Sequence, residues 1–144
     1  MDERVTAFVD QHSSAAMVTL RADGTPHTAR VGVGVVDGKI WSSGTQSRLR
    51  TRHLRRDPRA GLFVFDTSPS AQWLGLDTEV TILDGPDAPE LNFRLMRQMQ
   101  KGSAPEGKVV WFGGIISEEE FLAQMRAEQR LVYEFDVKRA YGYY

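Results

Sequence analysis

The sequence predicts a mainly β domain with short α-helices, in which six antiparallel strands close into a small barrel flanked by the helices. Three observations lead there. Apolar residues alternate with period two along several runs, and turn signals separate those runs at Asp23-Gly24, Asp37-Gly38 and Ser68-Pro69. The stretches with helical spacing are few and short. Six strands joined mostly by hairpins would expose two edges as an open sheet, and closure removes them.

Residues 3 to 12 form a short helix with Val5, Phe8 and Val9 on one face, ended by Ser13-Ser14. Ala15 to Arg21 is a strand, and the turn at 22–25 returns the chain into a long second run from Pro26 to Val36. In that run His27, Ala29, Val31, Val33 and Val35 share one face, and Thr28, Arg30, Gly32, Gly34 and Val36 the other. Asp37-Gly38 turns into a third strand, Lys39 to Ser43. A loop of small polar residues then feeds an arginine-rich helix of one to three turns, which Pro58 ends.

Ala60 to Asp66 reads as a buried strand and Ala71 to Asp84 as a long one, with Leu74, Leu76, Thr78, Val80 and Ile82 on one face. Beyond the Gly85–Pro89 break, Leu91, Leu95 and Met99 place a helix over residues 90–100, and a loop with Gly102, Pro105 and Gly107 follows. Ser117-Glu118-Glu119-Glu120 has capping-box spacing and starts another helix to about Glu128. Arg130 to Tyr144 is the closing strand. No repeat, low-complexity tract or linker divides the chain, so residues 1–144 are read as one domain.

Composition narrows the chemistry. With no cysteine, disulfides, thiolate nucleophiles and cysteine-ligated metals are excluded, and redox chemistry requires a bound organic cofactor. The three histidines have no metal-ligand spacing, so no metal is expected. Formal net charge is −1, which disfavours general nucleic-acid binding. No stretch approaches a transmembrane span and the start is charged, so a cytoplasmic protein with no membrane partner is the expectation.

Against that balance, six arginines fall between Arg48 and Arg59: Arg48, Arg50, Arg52, Arg55, Arg56 and Arg59. Arginine outnumbers lysine fourteen to four in the chain, which suggests a coding bias and weakens the cluster as evidence. The wheel separates its members. Arg50 lies about 40° from Leu54 at ~100° per residue, so it shares the leucine's inward direction. An unpaired inward guanidinium costs several kcal/mol, and no carboxylate is near in sequence before Asp57. An anion supplies the missing partner, and the reading is a phosphate cradle of Arg48, Arg50, the Thr51 hydroxyl and helix N–H groups, with Ser47 as the cap. Arg52, Arg55, Arg56 and Arg59 read as a solvated face.

Gly32 and Gly34 leave a flat trough where a planar ring could lie, or simply permit strand coiling at a barrel corner. His27 reads as an edge histidine or a ligand-facing group. Trp41, Trp73 and Trp111 read as core or dimer contacts, and Trp73, in the strand bordering the cleft, equally as a cofactor stacker. No P-loop, Rossmann or nucleophile-elbow pattern occurs, and no catalytic side chain can be named.

The run Ser47-Arg48-Leu49-Arg50-Thr51-Arg52-His53-Leu54-Arg55-Arg56-Asp57-Pro58-Arg59-Ala60, with the Met17–Leu20 strand, the Asp23–His27 turn and the Phe63-Val64 strand, resembles the split β-barrel flavin-binding superfamily that includes pyridoxamine 5′-phosphate oxidase. Within it, the chain looks most like the deazaflavin (coenzyme F420)-dependent reductases. The resemblance spans nearly the whole sequence. It implies a six-stranded antiparallel split β-barrel with flanking helices and a cofactor phosphate on Arg48, Arg50 and the Thr51 hydroxyl, next to the cap Ser47. It also implies a ring lined by Thr28, Ala29, Arg30, Val31 and Gly32, largely through backbone atoms, and a homodimer with cofactors at its interface.

Residues 136–144 lack the arginine-rich ending with which pyridoxamine 5′-phosphate oxidase holds its substrate phosphate, so a different substrate is implied. The activity implied is hydride transfer from reduced F420 to an activated double bond of a small organic substrate. An FMN-dependent enzyme and a non-catalytic flavin- or F420-binding protein are the alternatives. Arg52, Arg55 and Arg56 would then meet the anionic tail of F420.

Overall fold

A computed structural model describes all residues, Met1–Tyr144. The first helix, α1 (Glu3–Gln11), is capped by the Asp2 side chain on Arg4 N and buries Val5, Phe8 and Val9, the face its spacing predicts. The strands β1 (Ser14–Leu20) and β2 (Pro26–Gly32) pair as an antiparallel hairpin, followed by the short β3 (Gly34–Val36) and β4 (Lys39–Thr45). Then come α2 (Leu49–Arg56), β5 (Arg59–Phe65), β6 (Trp73–Leu83) and α3 (Ala88–Met99). The chain ends with β7 (Lys108–Trp111), β8 (Gly114–Ser117), α4 (Glu118–Ala127) and β9 (Arg130–Tyr143).

Seven strands make one curled antiparallel sheet in the order β2-β1-β5-β6-β9-β4-β3. The two ends of that order are consecutive in sequence. β2 and β3 are halves of the run read as one strand over 26–36, broken at Val33, whose N–H bonds to Ser13 O at 2.8 Å. Across the break the Ser42 hydroxyl donates to Gly32 O at 2.6 Å, joining β4 to the end of β2. Counted as one bent strand they give the six-stranded split barrel. β2 and β4 then diverge, and α2 bridges this split while packing on β1 and β6, with its His53 ring against His27 of β2 and its Thr51 hydroxyl donating to Thr45 O of β4.

The barrel core holds Met17, Val31, Val33, Ile40, Leu54, Leu62, Val64, Leu76, Leu131 and Tyr133, among others. A second layer packs α3 against β3, β4 and β9 through Val36, Trp41, Leu95 and Val132. Asn92, fully within this layer, donates to Ala88 O at 2.9 Å and to Leu131 O at 3.4 Å. Each buried aliphatic or aromatic side chain is worth ~1.5–3 kcal/mol, so these two layers dominate stability.

The antiparallel hairpin β7–β8 is an addition to the sequence-based element list, which leaves residues 108–116 as loop. Its turn is Phe112-Gly113, with φ of +49° and +81°. A phenylalanine in the left-handed region carries none of the Asn-Gly or Asp-Gly signal that marks such turns. Ser117 caps α4 as its spacing predicts, accepting from Glu120 N at 3.1 Å. Val109, Phe121 and Met125 form a small third core beneath the hairpin. No helix is long and apolar enough to cross a membrane.

Candidate functional site

The arginine helix α2 lies across the split with one face inside. Thr51, His53 and Leu54 are buried, and Arg48, Arg52, Arg55 and Arg56 are exposed. Arg50 turns inward as its wheel position predicts. Its guanidinium carbon sits 5.8 Å from the centroid of the buried Tyr133 ring, and its Nε is buried with no hydrogen-bond partner. Burial, reinforced by the charges of Arg48 and Arg130, lowers the Arg50 pKa, while Tyr133 acts in the opposite sense. Here is a half-buried cation with no carboxylate on it.

The backbone around Arg50 also offers donors. Arg48 N bonds to Thr45 O, and Thr51 N and Arg52 N both bond to Arg48 O. The N–H groups of Leu49 and Arg50 meet no backbone or side-chain acceptor, as the first turn of a helix leaves them. Together with Arg50 and the exposed Arg48 they gather positive charge and free donors at the start of α2, a combination suited to a phosphate. A phosphate monoester therefore fits the residues present.

Two members of the expected cradle are placed differently. The cap position is taken by Arg48, which makes no side-chain capping bond, so Ser47 stands exposed beside the cradle instead of closing the helix. Thr51 is fully buried; its hydroxyl donates to Thr45 O at 2.7 Å and bonds to the Tyr133 hydroxyl. The Thr51 side chain is therefore spent on the fold and does not face a ligand.

The expected ring-binding strand flanks the same split. As a terminal strand of the sheet, β2 has one backbone edge unpaired, and α2 lies beside it where the His27 and His53 rings meet at 5.3 Å. Thr28, Ala29 and Arg30 line a groove of about 350 Å³ with Ser14, Ala15, Ala16 and Phe65, and Arg30 Nη2 donates to Ser14 Oγ at 3.1 Å. Val31 is different, because its side chain is in the core. The flat trough at Gly32 and Gly34 is not open either. A Cβ on Gly32 would stand 2.5 Å from Met99 Cε, and one on Gly34 2.9 Å from Leu95 Cδ1, so α3 occupies the space the glycines leave.

Trp73 lies on the outer face of the sheet, stacked on Phe63 at 5.7 Å and edge-on to Tyr141 at 6.3 Å. Phe65 continues the row 5.4 Å from Phe63 and borders the β2 groove. Phe63, Phe65, Trp73, Tyr141 and Tyr143 are all exposed. Within one chain Trp73 thus adjoins the β2 groove through Phe65 and shares no contact with Arg50.

The outer arginines also divide. Arg55 pairs with Asp84 at 2.9 Å and Gln46 at 2.7 Å, and Arg56 donates to Leu20 O, fastening α2 to the sheet. Arg59 is bidentate on Asp57, whose carboxyl falls to about 2 through the hydrogen bonds from Arg59. Arg52 has no partner in the chain and remains available to an anion.

Three neighbours of the cradle escaped the sequence reading. Tyr133 lies 82 residues from Thr51, and no local pattern announces the contact. Arg130 is held by Glu128 at 2.7 Å and stands over the Trp111 ring at 5.6 Å, adding a third positive charge near Arg48 and Arg50. Burial pushes the Glu128 carboxyl up, but hydrogen bonds from Gln124 and Arg130 and the charges of Arg130 and Arg48 outweigh it and hold it below its usual range. The third neighbour is Gly44, against which the Tyr133 hydroxyl packs.

Comparison with known proteins agrees with this architecture. The family model described as pyridoxamine 5′-phosphate oxidase matches residues 1–143. No curated protein sequence matches the chain. Among solved structures, the conserved hypothetical protein Rv2991 of Mycobacterium tuberculosis superposes with a TM-score of 0.76 at 22% identity, over 99% of this chain and 84% of that one. A protein described as an F420 reductase gives 0.71 at 15% identity, over 98% of each chain. The heme storage protein HutZ of Vibrio cholerae gives 0.68 at 12% identity, over 99% of this chain and 94% of that one. At these identities the likeness is one of fold.

Proposed function

The chain belongs to the pyridoxamine 5′-phosphate oxidase family, and from that premise we propose that it is an oxidoreductase that binds coenzyme F420 and reduces an activated double bond of a small organic substrate. One observation carries the reading: the half-buried Arg50 cation, lacking a counter-charge, beside two free N–H groups at the start of α2. A phosphate monoester satisfies all three. The β2 groove beside the split is the place for the cofactor ring, with the unpaired β2 edge available to its polar atoms.

Reduced deazaflavin, when bound, would supply the hydride and solvent the proton that completes the reduction, so the protein need only bind and orient the reactants. In this reading Arg48 and Arg50 hold the phosphate, with Ser47 beside them. Thr28, Ala29 and Arg30 border the ring, and Arg52 is left for the anionic tail. The choice of F420 rests on the arginine-rich α2 and on the likeness in fold to an F420 reductase.

FMN is the second reading, favoured by the family itself, whose defining oxidase uses a flavin. Both cofactors carry the phosphate that the cradle suits. The exposed row of Phe63, Phe65, Trp73, Tyr141 and Tyr143 supports a homodimer closed across this face, since an apolar patch of this kind on a small domain marks an interaction surface. Titrating the purified protein with F420 and with FMN tests the cofactor. Tight FMN binding with weak F420 binding would replace the first reading by the second. Oxidation of reduced F420 in the presence of a panel of enones tests turnover, and its absence across the panel would favour a non-catalytic carrier.

A further inference from the structure

The direction of Arg50 is set by a residue on a distant strand. Tyr133, in β9, is fully buried, and the Arg50 guanidinium lies over its ring at 5.8 Å. Its hydroxyl bonds to Thr51 Oγ1. Thr51 has a single hydroxyl proton, which goes to Thr45 O, an acceptor that has none to give. Tyr133 must therefore donate to Thr51. The chain Tyr133 to Thr51 to Thr45 ties β9, the first turn of α2 and the end of β4 into one polar unit directly beneath Arg50.

That unit needs a glycine. A Cβ on Gly44 would stand 2.3 Å from the Tyr133 oxygen and 2.4 Å from Cζ, closer than atoms can approach. Gly44 has no positive φ, so space for the tyrosine, not backbone freedom, explains the residue. The electron-rich ring face attracts a cation without neutralising it. Arg50 is thus fixed in place while its charge remains available to an anion.

We propose that Tyr133 is the positioning residue of the anion cradle, presenting Arg50 to a phosphate from its ring face, with Gly44 as the space that admits it. The proposal rests on the reading that Arg50 holds a phosphate. Its test uses inorganic phosphate as the probe, with binding followed by ³¹P NMR and the Arg50 Nε–H resonance followed by ¹H–¹⁵N NMR. Melting temperature is recorded for the full-length wild type and for R50A, Y133F, Y133L and G44A.

Arg50→Ala should weaken phosphate binding at least about tenfold. Tyr133→Phe keeps the ring and should stay within about threefold of wild type, with the ring-current shift of Arg50 retained. Tyr133→Leu and Gly44→Ala should each lose that shift and weaken binding by roughly tenfold while folded, for the cation–π contact is worth about a factor of that size. If the wild type binds no phosphate, or R50A binds as well as wild type, the cradle itself fails and the proposal falls with it. If R50A loses binding while folded Y133L keeps it, the cradle stands and the positioning role is overturned. Should Y133L not fold, G44A decides, and wild-type binding with an unchanged Arg50 resonance in G44A overturns the proposal.

Discussion

The imidazole Nδ1 of His53 lies 2.8 Å from the hydroxyl of Thr19, a buried pair that joins α2 to β1. The same helix carries Arg48 and Arg50 at its other end. Whatever loosens His53 therefore loosens the platform of the cradle.

Burial lowers the His53 pKa, and the neighbouring His27, Arg56, Arg21 and Arg52 lower it further. The folded protein thus holds this imidazole neutral at pH values where the unfolded chain takes up a proton. Its contribution to stability is complete above the unfolded value of about 6.5 and is lost as pH falls from there toward the folded pKa. Urea midpoints should drop between pH 7.5 and pH 5.5, and His53→Asn should flatten that part of the profile. An unchanged slope in the variant would show that another group is responsible.

Glycines 32 and 34 both face α3, but what they meet differs. The Cβ of Gly32→Ala would reach the free methyl end of Met99, which can swing aside, whereas that of Gly34→Ala would press on Leu95 Cδ1 and Met99 Cγ together. Overpacking costs ~1–3 kcal/mol where neighbours cannot give. Chemical denaturation should find Gly34→Ala destabilised within that range and Gly32→Ala by less than ~1 kcal/mol. Equal losses would mean that Met99 is as fixed as Leu95.

Most of the fold was legible because local signals agreed with it. The Asp23-Gly24 and Asp37-Gly38 turns, the alternation from His27 to Val36 and the Ser117 capping box each announce an element that exists. Two things were not legible. The break at Val33 depends on closure of the sheet, since its N–H is taken by Ser13 of the chain entering β1. The β7–β8 turn uses Phe112 where a glycine or asparagine would have signalled it. The site divides the same way. The inward turn of Arg50 follows from helical geometry, but the withdrawal of Thr51 into a bond with Tyr133, and the filling of the glycine trough by α3, are contacts between segments far apart in sequence.

The aromatic row on the outer face predicts association. Phe63 and Trp73 stack at 5.7 Å and are both exposed. Sedimentation velocity should show a dimer for the wild type, and Phe63→Lys with Trp73→Lys should yield a folded monomer. A wild-type monomer at tens of micromolar would contradict the reading of this face as a self-association surface.

Phe112, 90% exposed at the tip of the β7–β8 hairpin, reaches the third core only through an edge-on contact with Trp111 at 5.0 Å, while Trp111 touches both Phe121 and Arg130. Trp111→Ala should lower the melting temperature by several degrees, as expected for losing a partly buried aromatic. Phe112→Ser should lower it far less, because this side chain is 90% exposed and serine, like phenylalanine, carries a Cβ at the positive φ, so the backbone strain is unchanged. A large loss for Phe112→Ser would assign the tip a packing role.

Arg50 is the one inward cation of α2 left without a counter-charge. Isothermal titration of F420, and of FMN, into wild type, Arg50→Ala and Arg55→Ala tests its role most directly, because Arg50 has no partner for its buried Nε and Arg55 is already paired with Asp84. Loss of a charge-assisted hydrogen bond of ~1.5–3 kcal/mol corresponds to roughly ten- to a hundredfold in Kd. Arg50→Ala should weaken the bound cofactor by that factor and Arg55→Ala by less than about threefold, as paired surface charges contribute little. Equal losses in the two variants, or none in Arg50→Ala, would contradict the cradle.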